Sequence, residues 1–151
     1  MTEAGRNVAR AQVHARLQLQ PNIGVKGITE KINTEIEKAI ICFQYVERVK
    51  SELIIAAKLL DRLGELSGDE LIGASKIFSS FLEALHGETN IAYNVSGVKD
   101  FETASTRVME ALDLVHFNQY EEAMKLISEA ISHVASSGQW AMQTLEDHNL
   151  L

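Results

Sequence analysis

Two carboxylate–histidine pairs are the residues of this sequence best suited to metal chemistry. Glu83 and His86 stand three residues apart, and so do Asp113 and His116. On a helix this spacing places both side chains on one face, and ferritin-like bundles build di-metal sites from two such pairs and two further glutamates. The second pair has Asp where that pattern has Glu. Each pair is expected near the C-terminal end of its own helix, so antiparallel packing separates them, and we predict no metal site.

The remaining chemistry-bearing residues form no recognisable catalytic motif. His86 is followed by Gly87-Glu88-Thr89-Asn90, so neither the Lys nor the Gly that accompany the exposed histidine of phosphotransfer domains is in its place. There is no Gly-x-Ser-x-Gly turn and no phosphate-binding glycine loop. The histidines are scattered over different segments: His14, His86, His116, His133 and His148. We therefore assign no catalytic or cofactor-binding residue, expect no cofactor, and leave enzymatic activity open.

The single cysteine, Cys42, lies in the apolar run Ala39–Phe43. One cysteine cannot form an intramolecular disulfide, and an apolar setting disfavours a reactive thiolate. We predict a small core residue, with a reactive thiol or an intermolecular bridge as the alternatives. This use of cysteine is typical of a reducing compartment, and no signal peptide or membrane-spanning stretch is evident. The expected location is the cytoplasm.

The charge of this 151-residue chain is unevenly distributed. The net charge is −7 at pH 7. Through Lys26 the chain carries four basic residues against Glu3, a sum of +3, so the remainder carries −10. An acidic body disfavours general binding to phosphates, which makes nucleic acid an unlikely partner. The basic N-terminal segment is better suited to dock on an acidic body.

Residues 9–20 alternate between apolar and polar side chains at every position. Strict alternation is typical of a half-buried strand, whereas on a helix it spreads the apolar groups around the whole circumference. The composition of Ala, Arg, Gln and Leu favours a helix instead. We predict a strand or extended arm, paired antiparallel with the same segment of a second subunit, and keep the helix as the alternative. A loop that contains Pro21 and Gly24 is predicted to end this strand or arm.

The longest predicted helix runs from Ile28 to about Leu63, a stretch without Gly or Pro. Its apolar residues recur in alternating steps of four and three, the pattern of a coiled-coil seam or a long bundle helix. The predicted seam is Ile32, Ile36, Ala39, Phe43, Val46, Lys50, Leu53, Ala57 and Leu60. Lys50 is its one charge, and we expect its amine to reach the solvated edge.

Capping residues and glycines predict the remaining boundaries. A capping box at Ser67–Glu70 begins a helix that Gly87 ends. Residues 88–99 are predicted to be a loop or a short irregular helix, and 136–138 a break. Three further helices are predicted over residues 100–117, 118–135 and 139–148.

Residues 120–131 resemble the second helix of a tetratricopeptide repeat. Tyr120, Ala123, Ile127 and Ala130 fall at the spacing of that motif. The preceding segment departs from it, and a solenoid needs at least three repeats. We therefore interpret this region as an ordinary helical hairpin with small residues at its crossing.

Together these features predict a mainly α protein, a bundle of four or five helices with one long heptad-patterned helix. The expected division is an N-terminal arm, residues 1–27, followed by a helical bundle domain, residues 28–151. We expect a non-catalytic homo-oligomer, with a dimer favoured, whose role is structural or in protein–protein interaction. The alternative is a small-ligand or metal-binding helical domain, possibly enzymatic.

Overall fold

The computed structural model describes residues 3–151, with side chains from Gly24 onward. The described residues form four helices and no strand, which confirms the mainly helical prediction and its helix count. The helices are α1 (Glu3–Leu63), α2 (Gly68–Ser96), α3 (Lys99–His116) and α4 (Tyr120–Asp147). The expected strand or arm at residues 9–20 lies outside the residues that are described in full, so the choice between strand and helix stays a prediction.

The chain divides into two compact units, Met1–Ile36 and Glu37–Leu151. The second unit holds the helical bundle, in which links of two to four residues join consecutive helices. Such short links make neighbouring helices antiparallel. No helix of the described part of the chain is long and apolar enough to cross a membrane.

The buried residues of α1 keep the predicted seven-residue period. Every second residue of the seam, however, lies one position earlier in the sequence than predicted. Val46, Leu53 and Leu60 are buried as predicted. Between them the core takes Cys42, Val49, Ala56 and Leu63, not the predicted positions 43, 50 and 57. The prediction for Phe43 was wrong, since its side chain is 37% exposed. Steps of three and four fit the same period, and the packing of the other helices decides between them.

Helix α2 was predicted to end at Gly87, but it continues for nine more residues to Ser96. The hydroxyls of Thr89 and Ser96 donate to carbonyls four residues earlier, so these polar side chains stay within the helix. Gly97 ends it in a left-handed conformation, φ 66°, and its N–H donates to the Tyr93 carbonyl at 2.7 Å. A left-handed residue is a common helix end, and glycine adopts it without strain.

Helix α4 runs through the break that was predicted at residues 136–138. The small residues there allow close contact with α1. A Cβ atom on Gly138 would lie 2.7 Å from Val46 Cγ1, and the Cys42 thiol donates to the Ser137 carbonyl at 3.5 Å. The glycine is therefore a packing residue inside a helix, and the prediction of a break was wrong.

Helices α3 and α4 form the expected helical hairpin. Its buried positions alternate between small and larger apolar side chains, and alanines occur on both helices: Ala104 and Ala111 on α3, and Ala123 and Ala130 on α4. The Arg107 side chain of α3 forms an ion pair with Glu129 of α4 at 2.8 Å. Asn118, predicted to cap α4, instead follows the end of α3 with φ 58°.

Candidate functional site

A ring of three polar side chains joins α2 to α3. His86 and Asn90 lie one turn apart on α2, and Ser105 lies opposite them on α3. His86 Nδ1 is 2.8 Å from Ser105 Oγ, Ser105 Oγ is 2.7 Å from Asn90 Oδ1, and Asn90 Nδ2 is 3.0 Å from His86 Nε2. Ser105 is buried, at 2% exposed, whereas His86 and Asn90 are half-buried.

The donors and acceptors of this ring assign one tautomer to His86. The Asn90 amide nitrogen can only donate, so His86 Nε2 accepts and the ring proton is on Nδ1. Nδ1–H then donates to Ser105, whose hydroxyl donates to the Asn90 oxygen. The serine proton therefore points away from the imidazole. This is a closed structural network, unlike a serine activated by a histidine base.

The second polar group lines a groove of about 470 Å³ beside the α3–α4 turn. His116 Nε2 lies 3.4 Å from Ser79 Oγ of α2, and Glu83 lines the same groove with Lys76. One residue from each of the two sequence pairs, Glu83 and His116, thus lines the same groove.

The backbone N–H groups beside this groove are already engaged. An oxyanion hole needs donors aimed at the developing charge. Ser79 lies in the middle of α2, where the N–H groups serve the helix. The N–H groups of Phe117, Asn118 and Gln119 in the adjacent turn all donate to the carbonyls of Leu114 or Val115. The backbone of the described residues therefore offers no oxyanion hole here, and the N–H donors that line the groove belong to side chains such as those of Lys76 and Asn118.

The two carboxylate–histidine pairs lie at different levels of the α2–α3 contact. His86 contacts Ser105, whereas His116 contacts Ser79, seven residues earlier on α2. Seven residues of helix correspond to about 10 Å. We had assumed that His86 lies near the end of its helix. It does not, because α2 continues to Ser96. In the side chains described, residues 24–151, no three potential ligands converge on one point.

The other histidines have structural partners. His133 Nδ1 of α4 is 3.2 Å from Asp100 Oδ1 of α3, and His148 Nδ1 is 2.7 Å from the Thr144 carbonyl. His14 lies outside the described side chains. Apart from the groove that His116 shares with Glu83, the histidines of the described residues thus stay as scattered in the fold as they are in the sequence.

Cys42 is fully buried, as predicted. Burial raises the pKa of its thiol from an ordinary value of 9.0 to about 11, and the hydrogen bond to Ser137 offsets part of this effect. Because the thiolate is the nucleophile, a raised pKa leaves the thiol unreactive at neutral pH. Cys42 is therefore a core residue of the α1–α4 contact.

An apolar concavity lies where α1 turns into α2. This groove of about 320 Å³ is lined by Leu59, Arg62, Leu63, Leu66, Ala74, Ile77, Phe78 and Phe81. Arg62 is its one charged residue, and the hydrogen bond and charge of Glu65 raise the guanidinium pKa. Ile77 is 76% exposed and Leu59 43% exposed, so the apolar lining continues onto the open surface.

Comparison with protein-family models, with curated proteins and with solved structures finds no match to this chain.

Proposed function

We propose that this protein is a non-catalytic helical bundle that self-associates, with a structural or protein–protein interaction role. The observation that supports this proposal is the open apolar groove between α1 and α2. Its lining carries one charged residue and no set of converging polar groups. A site for a small polar substrate needs such groups to fix orientation, whereas an apolar groove suits a helix or another apolar protein surface.

The exposed apolar side chains around the groove strengthen the argument. Ile55, Leu59 and Ile77 expose 47%, 43% and 76% of their surface. Apolar residues scattered singly over a surface need no explanation, but a cluster beside an apolar groove is typical of an interaction site. The charges at the end of α1 and in the turn that follows it are balanced, with Lys58 and Arg62 against Asp61 and Glu65. Two copies can therefore approach here without strong repulsion. A cytoplasmic location, in keeping with the free thiol, completes the proposal.

Sedimentation velocity on the full chain, from about 1 to 200 μM, tests self-association. We expect the weight-average mass to rise with concentration toward a dimer. A monomer over the whole range would contradict the proposal. Deletion of residues 1–20 is the companion experiment, since it separates assembly by the bundle from assembly by the predicted N-terminal arm.

A second candidate function is small-ligand or metal binding in the groove of His116. Glu83 and His116 face one cavity there, and Lys76 and Ser79 add further polar groups. Titration with Zn²⁺ followed by calorimetry tests this candidate, with His116→Ala as the variant and His133→Ala as the control. Binding at about one ion per chain that only His116→Ala abolishes would favour this candidate over the first.

A further inference from the structure

Helix α2 has a second apolar face, opposite the one that it buries. Its residues recur in steps of three and four: Ile77, Ser80, Ala84, Gly87, Ile91 and Val95. The three large side chains among them, Ile77, Ile91 and Val95, are 76%, 50% and 52% exposed. The buried residues of α2, such as Leu82, Leu85 and Ala92, follow the same period on the other side. We call the exposed set the outer face of α2.

The outer face carries no charged residue, in contrast to the rest of the bundle. Residues 99–151 contain three Lys or Arg against nine Asp or Glu, a net charge of −6. Two copies of the α3–α4 side would therefore repel each other. An uncharged apolar face gives a charged partner nothing to pair with, and two like copies can meet there without placing like charges directly opposite each other.

The residues of the outer face are arranged symmetrically about Ala84. Ile77 and Ile91 each lie seven residues from it, and the small residues Ser80 and Gly87 lie between. A two-fold interface requires that the same patch be complementary to itself. Two antiparallel copies of α2 satisfy this requirement, because small residues at the centre allow close approach and each isoleucine meets the other on the partner.

We infer that the outer face of α2 packs antiparallel against the outer face of α2 in a second copy of this chain. Ala84 lies at the two-fold axis, and Ile77 contacts the partner's Ile91. This inference rests on the proposed self-association and names its surface.

The size of the face sets the strength of the contact. From Ile77 to Ile91 the helix rises about 21 Å, and a helix is about 10 Å wide. The footprint of one helix on another is then on the order of 200 Å², well below the ~800 Å² per partner of a stable interface. We therefore expect a weak and reversible dimer.

Cysteine crosslinking tests the axis. Ala84→Cys places two thiols at the two-fold axis, whereas Ser128→Cys places a thiol at an exposed position of α4. The native Cys42 is buried and stays silent. Under mild oxidation at about 50 μM we expect a covalent dimer from Ala84→Cys and none above the collision level from Ser128→Cys. Equal crosslinking of both variants would overturn the inference.

A charge substitution tests the face without crosslinking. Ile91→Asp places a carboxylate against the partner's Ile77 at each end of the contact, where it would lose water without gaining a partner. We expect at least a tenfold weaker association with an unchanged melting temperature, because the site is exposed in the single chain. Phe117→Asp, at a 75% exposed residue of the α3–α4 turn, is the matched control and should leave association unchanged. If the wild type dimerises and Ile91→Asp does not weaken the dimer, the outer face is not the interface although self-association stands. A monomeric wild type overturns both proposals.

Discussion

The contact of Gly138 with Val46 depends on the absence of a side chain. Alanine at this position would place its Cβ atom 2.7 Å from Val46 Cγ1, closer than carbon atoms approach in folded proteins. A branched valine in a packed core has little freedom to move away. The close approach of α1 and α4 is therefore determined by these two residues.

We expect Gly138→Ala to lower the free energy of unfolding by about 1–2 kcal/mol. Overpacking costs roughly 1–3 kcal/mol, and the better helix propensity of alanine returns up to about 1 kcal/mol. Urea denaturation measures the loss. In a Val46→Ala background the same substitution should cost much less, because the clashing methyl group is gone. Equal losses in both backgrounds would show that another contact is responsible.

Cys42 makes stability depend on pH in the alkaline range. Its thiol has a pKa of about 11 in the folded state against an ordinary value of 9.0, so the folded state holds the proton more tightly. Between those values the unfolded chain binds fewer protons, and the free energy of unfolding falls as pH rises. For one titrating group, the free energy of unfolding changes by at most about 1.4 kcal/mol per pH unit.

Because other groups titrate in the same range, the effect of Cys42 is measured as a difference in stability between two proteins. The stability of the wild type minus that of Cys42→Ala should decrease as pH rises from 8 to 11. Denaturation at a series of pH values gives both curves. A constant difference across this range would mean that the folded thiol titrates as it does in the unfolded chain.

Glycine has two different roles along α2. Gly87 lies inside the helix with nothing within 4 Å of a built Cβ atom, whereas Gly97 ends the helix at φ 66°. We expect Gly87→Ala to stabilise the fold by about 0.5–1 kcal/mol, since glycine inside a helix is costly. Gly97→Ala should destabilise it by a similar or larger amount, because alanine is strained there.

Both variants are measured by chemical denaturation at low protein concentration, where chains do not associate. A helix that ended at Gly87, as the sequence had suggested, would show the reverse order. Circular dichroism at equal concentration provides a second measure of whether helical content follows stability.

Much of the element order was predictable because periodicity and capping act locally. The seven-residue period of α1, the start of α2 after Ser67 and the α3–α4 hairpin were all predicted from the sequence. The glycines were misjudged. Gly138 is helical where α4 packs closely on Val46, whereas Gly87 lies inside α2 with no contact that requires glycine. The rotation of the α1 seam from Phe43 to Cys42 has the same origin, since only neighbouring helices decide between steps of three and four.

The polar sites were less predictable than the helices. His86 and Asn90 are visible as a one-turn pair, but Ser105 joins them only when α2 and α3 pack. The sequence did not predict the outer face of α2, because the predicted helix ended at Gly87 and so did not include Ile91. Correct helix bounds would have revealed its repeat directly from the sequence.

For the whole molecule, net charge opposes self-association. Each chain carries −7, so two copies repel, and salt screens this repulsion. If the uncharged face of α2 is the interface, raising NaCl from about 20 to 500 mM should strengthen association. If instead the basic N-terminal segment binds an acidic body, the same change should weaken it. Sedimentation equilibrium at both salt concentrations distinguishes the two modes of assembly.

The ring of His86, Asn90 and Ser105 has a spectroscopic consequence. An imidazole locked in one tautomer gives two ring nitrogens with clearly different ¹⁵N chemical shifts, because one is protonated and the other is not. Its Nδ1 proton, shielded from water and shared with Ser105, should exchange slowly enough to be observed. In ¹⁵N-labelled protein, His86 thus provides an NMR signal for the contact between α2 and α3, and loss of that signal would report their separation before the helices themselves unfold.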